Sequence, residues 1–266
     1  MHFEPITYPD LEEIKRLQPG DWSDIIPHLK FYIDADFCHP VKAIYDQRIV
    51  GIGASIVFQN TSWLGHIIVD AGYRNQGIGY QLVKKLIDNP DFKPANPVLL
   101  TATKLGEPVY KKIGFRPVTD YVFFNRTEAW TPCPVSKHII PYEKAFRSGI
   151  LAMDERVTGE DRQRVLTPHL NSALLYVADN ILQGFYMPDL GEGPIIAETK
   201  EAGIDLMKIK YDHVDKAVLP AENAIAIDFL KENGFAETSK GLRMILGNDF
   251  NWQPASIYSR IGGNIG

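Results

Sequence analysis

The chain has 266 residues, 45% of them hydrophobic and 23% charged, with a formal net charge of −5. This composition supports a packed core and excludes wholesale disorder. The acidic balance argues against a large nucleic-acid footprint, and no apolar run approaches the ~20 residues a membrane helix needs. The 28 Lys+Arg and 33 Asp+Glu divide into 14 and 14 over residues 1–127, leaving 14 and 19 in 128–266, so the second half holds the whole acidic excess. The two cysteines, Cys38 and Cys133, form no CxxC pair, which fits a reducing compartment and speaks against a zinc ribbon. The N-terminus has acids where a signal peptide has bases. A cytoplasmic protein, off the membrane, is expected.

In chain order, Asp10 to Leu17 reads as a short amphipathic helix after a strand, and Trp22 to Ile33 as a helical stretch interrupted by Pro27. Val41 to Tyr45 and Ile49 to Phe58 form a hairpin around Asp46-Gln47-Arg48. Asn60-Thr61-Ser62 turns into a third strand, Trp63 to Val69. The texture then changes to AGYRNQGIG, followed by YQLVKKLID, whose Leu82, Val83, Leu86 and Ile87 lie on one helical face. Pro97 to Thr101 is a short buried strand, EPVYKKI a helix closed by Gly114, and Phe115 to Phe124 a final strand. Antiparallel strands leading into a strand–loop–helix–strand–helix–strand run predict an α+β fold with a mixed, mostly antiparallel sheet flanked by helices.

Residues 127–136 read as a linker, after which the pattern recurs. Asp46 and Gly51 align with Asp179 and Gly184 at an offset of 133, and Gly114-Phe115 with Gly234-Phe235 at an offset of 120. The same order of matches predicts a duplication, with domains 1–127 and 128–266.

The strongest chemical signal is Arg74-x-x-Gly77-x-Gly79 between a strand and a helix. A helix N-terminus offers unpaired N–H groups and a positive dipole end, and glycines let the backbone approach an anion. A turn glycine with no ligand is the competing reading. The absence of Lys-Ser/Thr after the second glycine excludes a Walker loop, and the position after an antiparallel run disfavours a dinucleotide fingerprint.

The segment GHIIVD–YRNQGIGYQLVKKLI resembles the acetyl-CoA-binding motif of the GNAT N-acetyltransferase superfamily, and LLTATKLGEPVYKKIGF is similar to its second signature, ending Tyr-x-x-x-Gly-Phe. The resemblance covers the first ~126 residues, at the spacing the two signatures keep in the superfamily. The second half resembles the degenerate copy of a tandem subfamily, through PAENAIAIDFLKENGF and the chain end IYSRIGGNIG.

The resemblance implies roles. Ile67, Ile68 and Val69 lie beside the pantetheine arm and offer backbone N–H groups to the thioester carbonyl. Arg74, Asn75, Gln76, Gly77, Ile78, Gly79 and Tyr80 hold the pyrophosphate. Tyr110 protonates the leaving thiolate; a tyrosine that only packs is the alternative. Thr103 stands where the superfamily often has an Asn. For the acceptor, Trp22, Asp34, Asp36, Trp63 and His66 are candidates, and His66, Asp34, Asp36 and His39 are the polar residues weighed as a base, each also readable as an ordinary polar or packing residue. No general base stands out.

In the second half, Ile195 to Ala202 replaces the glycine loop, placing Glu198 and Glu201 where a pyrophosphate would repel them, and Leu230 replaces the tyrosine while Asn223, Gly234 and Phe235 remain. A copy without coenzyme A binding is expected. The implied activity is acetyl-CoA-dependent N-acetylation of a small amine or amino-acid-like molecule, by direct transfer within a ternary complex and without a metal. A non-catalytic acyl-CoA sensor or structural protein, or an O-acyltransferase, is the alternative.

Overall fold

The computed structural model describes residues 1–20, 22–93, 96–132 and 134–266; Cys133 lies outside the described residues. The chain forms two compact units. The first is Met1–Pro117 with Met244–Asp249 and Gly263–Ile265, and the second Val118–Arg243 with Phe250–Gly262 and Gly266. Each is α+β with mostly antiparallel strands and flanking helices, as the sequence pattern predicts.

The first unit begins with β1 (His2–Pro5) and a helical segment, α1 (Leu11–Ile14), flanked by 3-10 turns. Helix α2 spans Ile26–Asp34. Pro27 sits in its first turn, where a missing N–H costs nothing, so this proline starts the helix and does not interrupt it. Strands β2 (Cys38–Tyr45) and β3 (Arg48–Val57) form the expected hairpin. Asp46 and Gln47 both have positive φ (51° and 60°), as a two-residue turn matched to strand twist requires. Strand β4 (Ser62–Val69), helix α3 (Ile78–Ile87), strand β5 (Val98–Ala102) and helix α4 (Glu107–Ile113) follow. The sheet order is β1–β2–β3–β4–β5, antiparallel until β5 joins β4 in parallel. Leu82, Val83 and Leu86 of α3 are fully or almost fully buried, so the periodic apolar stripe is the face that covers the sheet.

The second unit takes up β6 (Arg116–Arg126) from Val118 on, then β7 (Ile139–Pro141), α5 (Arg147–Thr158) and α6 (Gln163–Leu166). Strands β8 (Leu174–Ala178), β9 (Ile181–Tyr186) and β10 (Ile195–Ala197) lead to α7 (Lys200–Tyr211), β11 (Lys216–Pro220), α8 (Ala224–Glu232), β12 (Phe235–Leu246) and β13 (Ile257–Ser259). One sheet runs β13–β10–β9–β8–β7, while β6 pairs antiparallel with β11.

The duplication is visible in backbone geometry. Asp179 and Asn180 repeat the turn of Asp46 and Gln47, with φ of 51° and 62°. The hairpin ladder slips between Ala43 and Ile44 in the first unit and between Tyr176 and Val177 in the second, the same offset of 133. A turn and a bulge at one spacing define register, so these are one hairpin built twice.

The second unit is held by a buried ion pair. Arg162 grips Asp154 with both nitrogens of its fork (3.1 and 2.6 Å), with side chains only 4% and 3% exposed, and also donates to the carbonyl of Gly266. Asp154→Ala removes the carboxylate that the buried Arg162 fork grips and is expected to cost about 3–5 kcal/mol. Thermal melts check this. A melting temperature within a degree of the parent's would show the pair to be dispensable.

Candidate active site

The two edges of strand β4 behave differently. Its pairing with β5 is confined to Ser62 with Val98 and Trp63 with Leu99, although β4 continues to Val69 and β5 to Ala102. Beyond Trp63 the strands part, and the β4 edge facing β5 is left without ladder partners. On the other edge Ile52 opposes Ile68 and Ala54 opposes Gly65, so His66 and Ile67 together face Gly53 in a bulge. His66 takes a left-handed conformation there (φ 49°), uncommon outside glycine but best tolerated by Asn, Asp and His.

After β4, Asp70 opens a tight turn. Its Oδ1 accepts from the Gly72 N–H at 2.9 Å, and Arg16 donates to Oδ2 at 2.5 Å. The Gly72 N–H chiefly, with Arg16 behind it, holds the Asp70 carboxyl below the usual carboxylate range. Arg74 donates from Nε to the carbonyl of Val69 (3.2 Å), tying the loop back to the strand. Asn75 (φ 62°) and Gly77 (φ 80°) are left-handed, and Gly77 is the N-cap of α3. A non-glycine residue at Gly77 is strained by its φ alone. The first N–H groups of α3, at Ile78, Gly79 and Tyr80, have no acceptor one turn back. Apart from Tyr73, Ile78 and Gly79, residues 71–80 are exposed, so the helix end faces solvent with its dipole unopposed.

Sequence pattern and structure thus meet in one place: Ile67, Ile68 and Val69 on the strand, and Arg74 to Tyr80 at the helix end. The side chains of Ile67 and Val69 face α3, with Ile67 beside Leu82 and Leu86 and Val69 against Gly79.

Tyr110 lies on α4, 7% exposed and edge-on to Phe115 at 6.0 Å between ring centres. Burial pushes its phenol well above its ordinary value, so it keeps its proton at neutral pH. Thr103 is exposed. Its carbonyl accepts from Gly106 and Glu107 (both 3.0 Å), and its hydroxyl accepts from Gly106 (3.3 Å), so it shapes the turn into α4. The Thr101 hydroxyl on β5 is buried without a partner, a group that pattern reading gave no reason to choose.

The acceptor candidates separate. His66 lies beside Trp22, at 6.1 Å between ring centres, and beside His28 and Tyr32 of α2, at 4.8 and 5.5 Å. Burial, and after it the neighbouring His28, push the His66 imidazole down to about 3. Trp63 is wholly buried in the core. Asp34 accepts from the Tyr8 hydroxyl at 2.8 Å, His39 pairs with Asp91 at 3.0 Å, and Asp36 is exposed in the turn after α2. His28 and Tyr32 were open to sequence reading only as an i, i+4 pair on one helix; Asn264, bonded to Tyr32 at 2.6 Å, carried no signal.

In the second unit the corresponding place is shut. Only Glu198 and Thr199 separate β10 from α7, against the eight residues from Asp70 to Gly77. The Thr199 hydroxyl caps α7 by accepting from Ala202 (3.3 Å), and Glu198 pairs with Arg156 (2.5 Å). Leu230, at the position of Tyr110, is fully buried. Among the described residues no group of three or more His, Cys, Asp or Glu could hold a metal ion, and no helix is long and apolar enough to cross a membrane.

Comparison with known proteins gives the family and the fold. Two family models, each described as an acetyltransferase (GNAT) domain, match residues 21–131 and 150–259. Among solved structures, the chain is similar to a protein of Pyrococcus horikoshii provisionally described as an acetyltransferase, with a TM-score of 0.84 and 20% identity over 100% of this chain and 95% of that one. It is similar to a GCN5-related N-acetyltransferase of Sphaerobacter thermophilus, with a TM-score of 0.65 and 14% identity over 94% and 97% of the two chains. A glucosamine N-acetyltransferase region of a fungal multi-domain β-N-acetylglucosaminidase gives 0.67 and 13% over 92% of this chain and 38% of that one. At such identities these likenesses concern the fold. No curated protein matches the chain in sequence.

Gly79→Glu places a carboxylate in the first turn of α3, among the N–H groups an anion would use. It is expected to lower affinity for coenzyme A at least 100-fold with the melting temperature kept, read by intrinsic fluorescence titration. Unchanged affinity would remove the helix end from the binding site.

Proposed function

The chain belongs to the GNAT acetyltransferase family, with one domain of that family in each half, and we propose that its first unit is an acetyl-CoA-dependent N-acetyltransferase acting on a small amine or amino-acid-like acceptor. The observation that carries this reading is the parting of β4 from β5 directly before a helix whose N-terminus is open. A strand edge with free N–H and C=O groups suits an amide-bearing chain laid beside it, and an exposed helix N-terminus suits a pyrophosphate. Acetyl-CoA has both parts, and when bound it supplies the activated acetyl group. The partnerless Thr101 hydroxyl on β5 fits a polar ligand near the split.

The residues then divide the work. Ile78, Gly79 and Tyr80 offer main-chain N–H groups to phosphate, and Arg74 adds a guanidinium. Backbone N–H groups along Ile67–Val69 orient the pantetheine arm and polarise the carbonyl. Tyr110 holds a proton to give to the departing thiolate. A phenol at about 10 and a thiol at about 8.5 are matched acids, and burial raises both in the same direction. The amine loses its proton to water. The burial of Cys38, 6% exposed and so ill suited as a covalent relay, supports direct transfer in a ternary complex.

The second unit is proposed not to bind coenzyme A. Its capped helix, short connection and Leu230 support this, and its acidic excess favours a cationic acceptor nearby in solution.

Steady-state kinetics with acetyl-CoA and a panel of amines and amino acids test the assignment. Tyr110→Phe is expected to lower kcat on the order of 100-fold while acetyl-CoA affinity stays within about twofold. An unchanged kcat would remove Tyr110 as the acid. Tight acetyl-CoA binding with no turnover of any amine would favour a sensor.

A further inference from the structure

The proposed transfer leaves one built arrangement unused, the chain Asn264–Tyr32–His66 in the first unit. Asn264 donates from Nδ2 to the Tyr32 hydroxyl at 2.6 Å, and that hydroxyl lies 2.8 Å from His66 Nδ1. The backbone makes room for it at Gly65. A Cβ there would stand 2.7 Å from the Asn264 Cβ and 3.0 Å from the Tyr32 hydroxyl, so no other residue fits without displacing the network. Tyr32 is wholly buried, and burial holds its phenol far above its ordinary value, so it keeps its proton.

The direction of the chain follows from the donors. An amide N–H takes one lone pair of the Tyr32 oxygen, leaving the phenolic proton one good destination, His66 Nδ1. An imidazole that accepts at Nδ1 and is neutral carries its proton on Nε2. The depressed basicity of His66 agrees, since a cation beside His28 in a buried setting is disfavoured. A neutral Nε2–H ring donates a hydrogen bond; it is poorly suited to take a proton from an ammonium group.

Its position says what it meets. Ile67 and Val69 face α3, the helix that carries the cradle, whereas His66 faces α2 and stands among Trp22, His28 and Tyr32. Trp22, His28 and His66 are each partly exposed, so the cluster is not sealed inside the core. His66 also keeps a left-handed backbone in the bulge, the kind of strain that persists where geometry serves a site.

We propose that Asn264 and Tyr32 fix His66 as the Nε2–H tautomer, and that this N–H binds a carboxylate or carbonyl oxygen of the amine-bearing acceptor, orienting it for attack. His66 is then a specificity residue for amino-acid-like acceptors, and Tyr32 and Asn264 are positioning residues. The acceptor part rests on the acetyltransferase reading; the tautomer part does not.

Long-range nitrogen–proton correlation spectra of the ligand-free full chain at pH 7, with the His66 signals assigned through His66→Asn, read the tautomer directly. The parent is expected to show a protonated Nε2 and a bare Nδ1. Tyr32→Phe, which removes only the hydroxyl, is expected to give shifts averaged over both tautomers. A proton on Nδ1 in the parent, a charged ring, or no change in Tyr32→Phe would overturn the relay. Kinetics with an amino acid and its decarboxylated amine test the contact. His66→Asn tolerates the backbone but cannot reach the Nε2 position, and is expected to raise KM for the amino acid about tenfold, one lost hydrogen bond, with acetyl-CoA affinity kept. His66→Gln places an amide N–H near Nε2 and is expected to recover most of that loss. Equal effects of the two variants would overturn the acceptor contact. Turnover of no amine would sink the acetyltransferase reading and the contact with it, while the spectra still decide the tautomer.

Discussion

Two strands that pair at only two positions set the conditions for the rest of the first unit. Had β4 and β5 stayed in register past Trp63 and Leu99, the edge at Ile67–Val69 would be closed by ladder hydrogen bonds. A backbone edge costs free energy when it is buried unpaired, so a split is stable only where water or a ligand completes it. The bulge at His66 and Ile67 belongs to the same device. It increases the local twist, carries β4 away from β5 and turns His66 toward α2. The open end of α3 then follows β4 by one loop, which places an uncapped helix end and an unpaired strand edge in sequence.

The second half shows which parts of this device the fold itself needs. The hairpin turn, the ladder slip at the same offset and the glycine after the last helix are all kept. What is gone is the loop between strand and helix, together with the phenol. Thr199 satisfies the α7 N-terminus from within, which stabilises the helix and removes the donors an anion would use. Capping and ligand binding compete for the same N–H groups. The first unit leaves them open and the second closes them.

Much of this was legible in the sequence because it depends on local chemistry. Gly77 and Gly79 between a strand and an amphipathic stretch mark a helix end, and Gly114 marks a helix stop, whatever the tertiary context. The α+β class and the duplication followed from element order and spacing. In the sequence Pro27 resembles a break, because a proline inside a periodic stretch ends or kinks a helix, and only the observed start at Ile26 shows it to be in the first turn. Less was legible where contacts join distant positions. Trp63, Asp34 and His39 look alike to a pattern of polar and aromatic residues. The fold buries the first and gives the others partners outside the His66 cluster. Tyr32 and Asn264 are 232 positions apart, and no periodicity reports such a bond. Gly65 was the available clue, since a glycine within an apolar strand marks a bulge or a close approach.

Of the two related halves, only the first is proposed to hold a working coenzyme site. Calorimetric titration of the purified 266-residue chain with acetyl-CoA decides between one site and two. Saturable binding with a stoichiometry of one per chain is expected. Two sites per chain would contradict the reading of Thr199, Glu198 and Leu230 as a closed copy, and no binding at all would contradict the open strand edge and helix end as a coenzyme site.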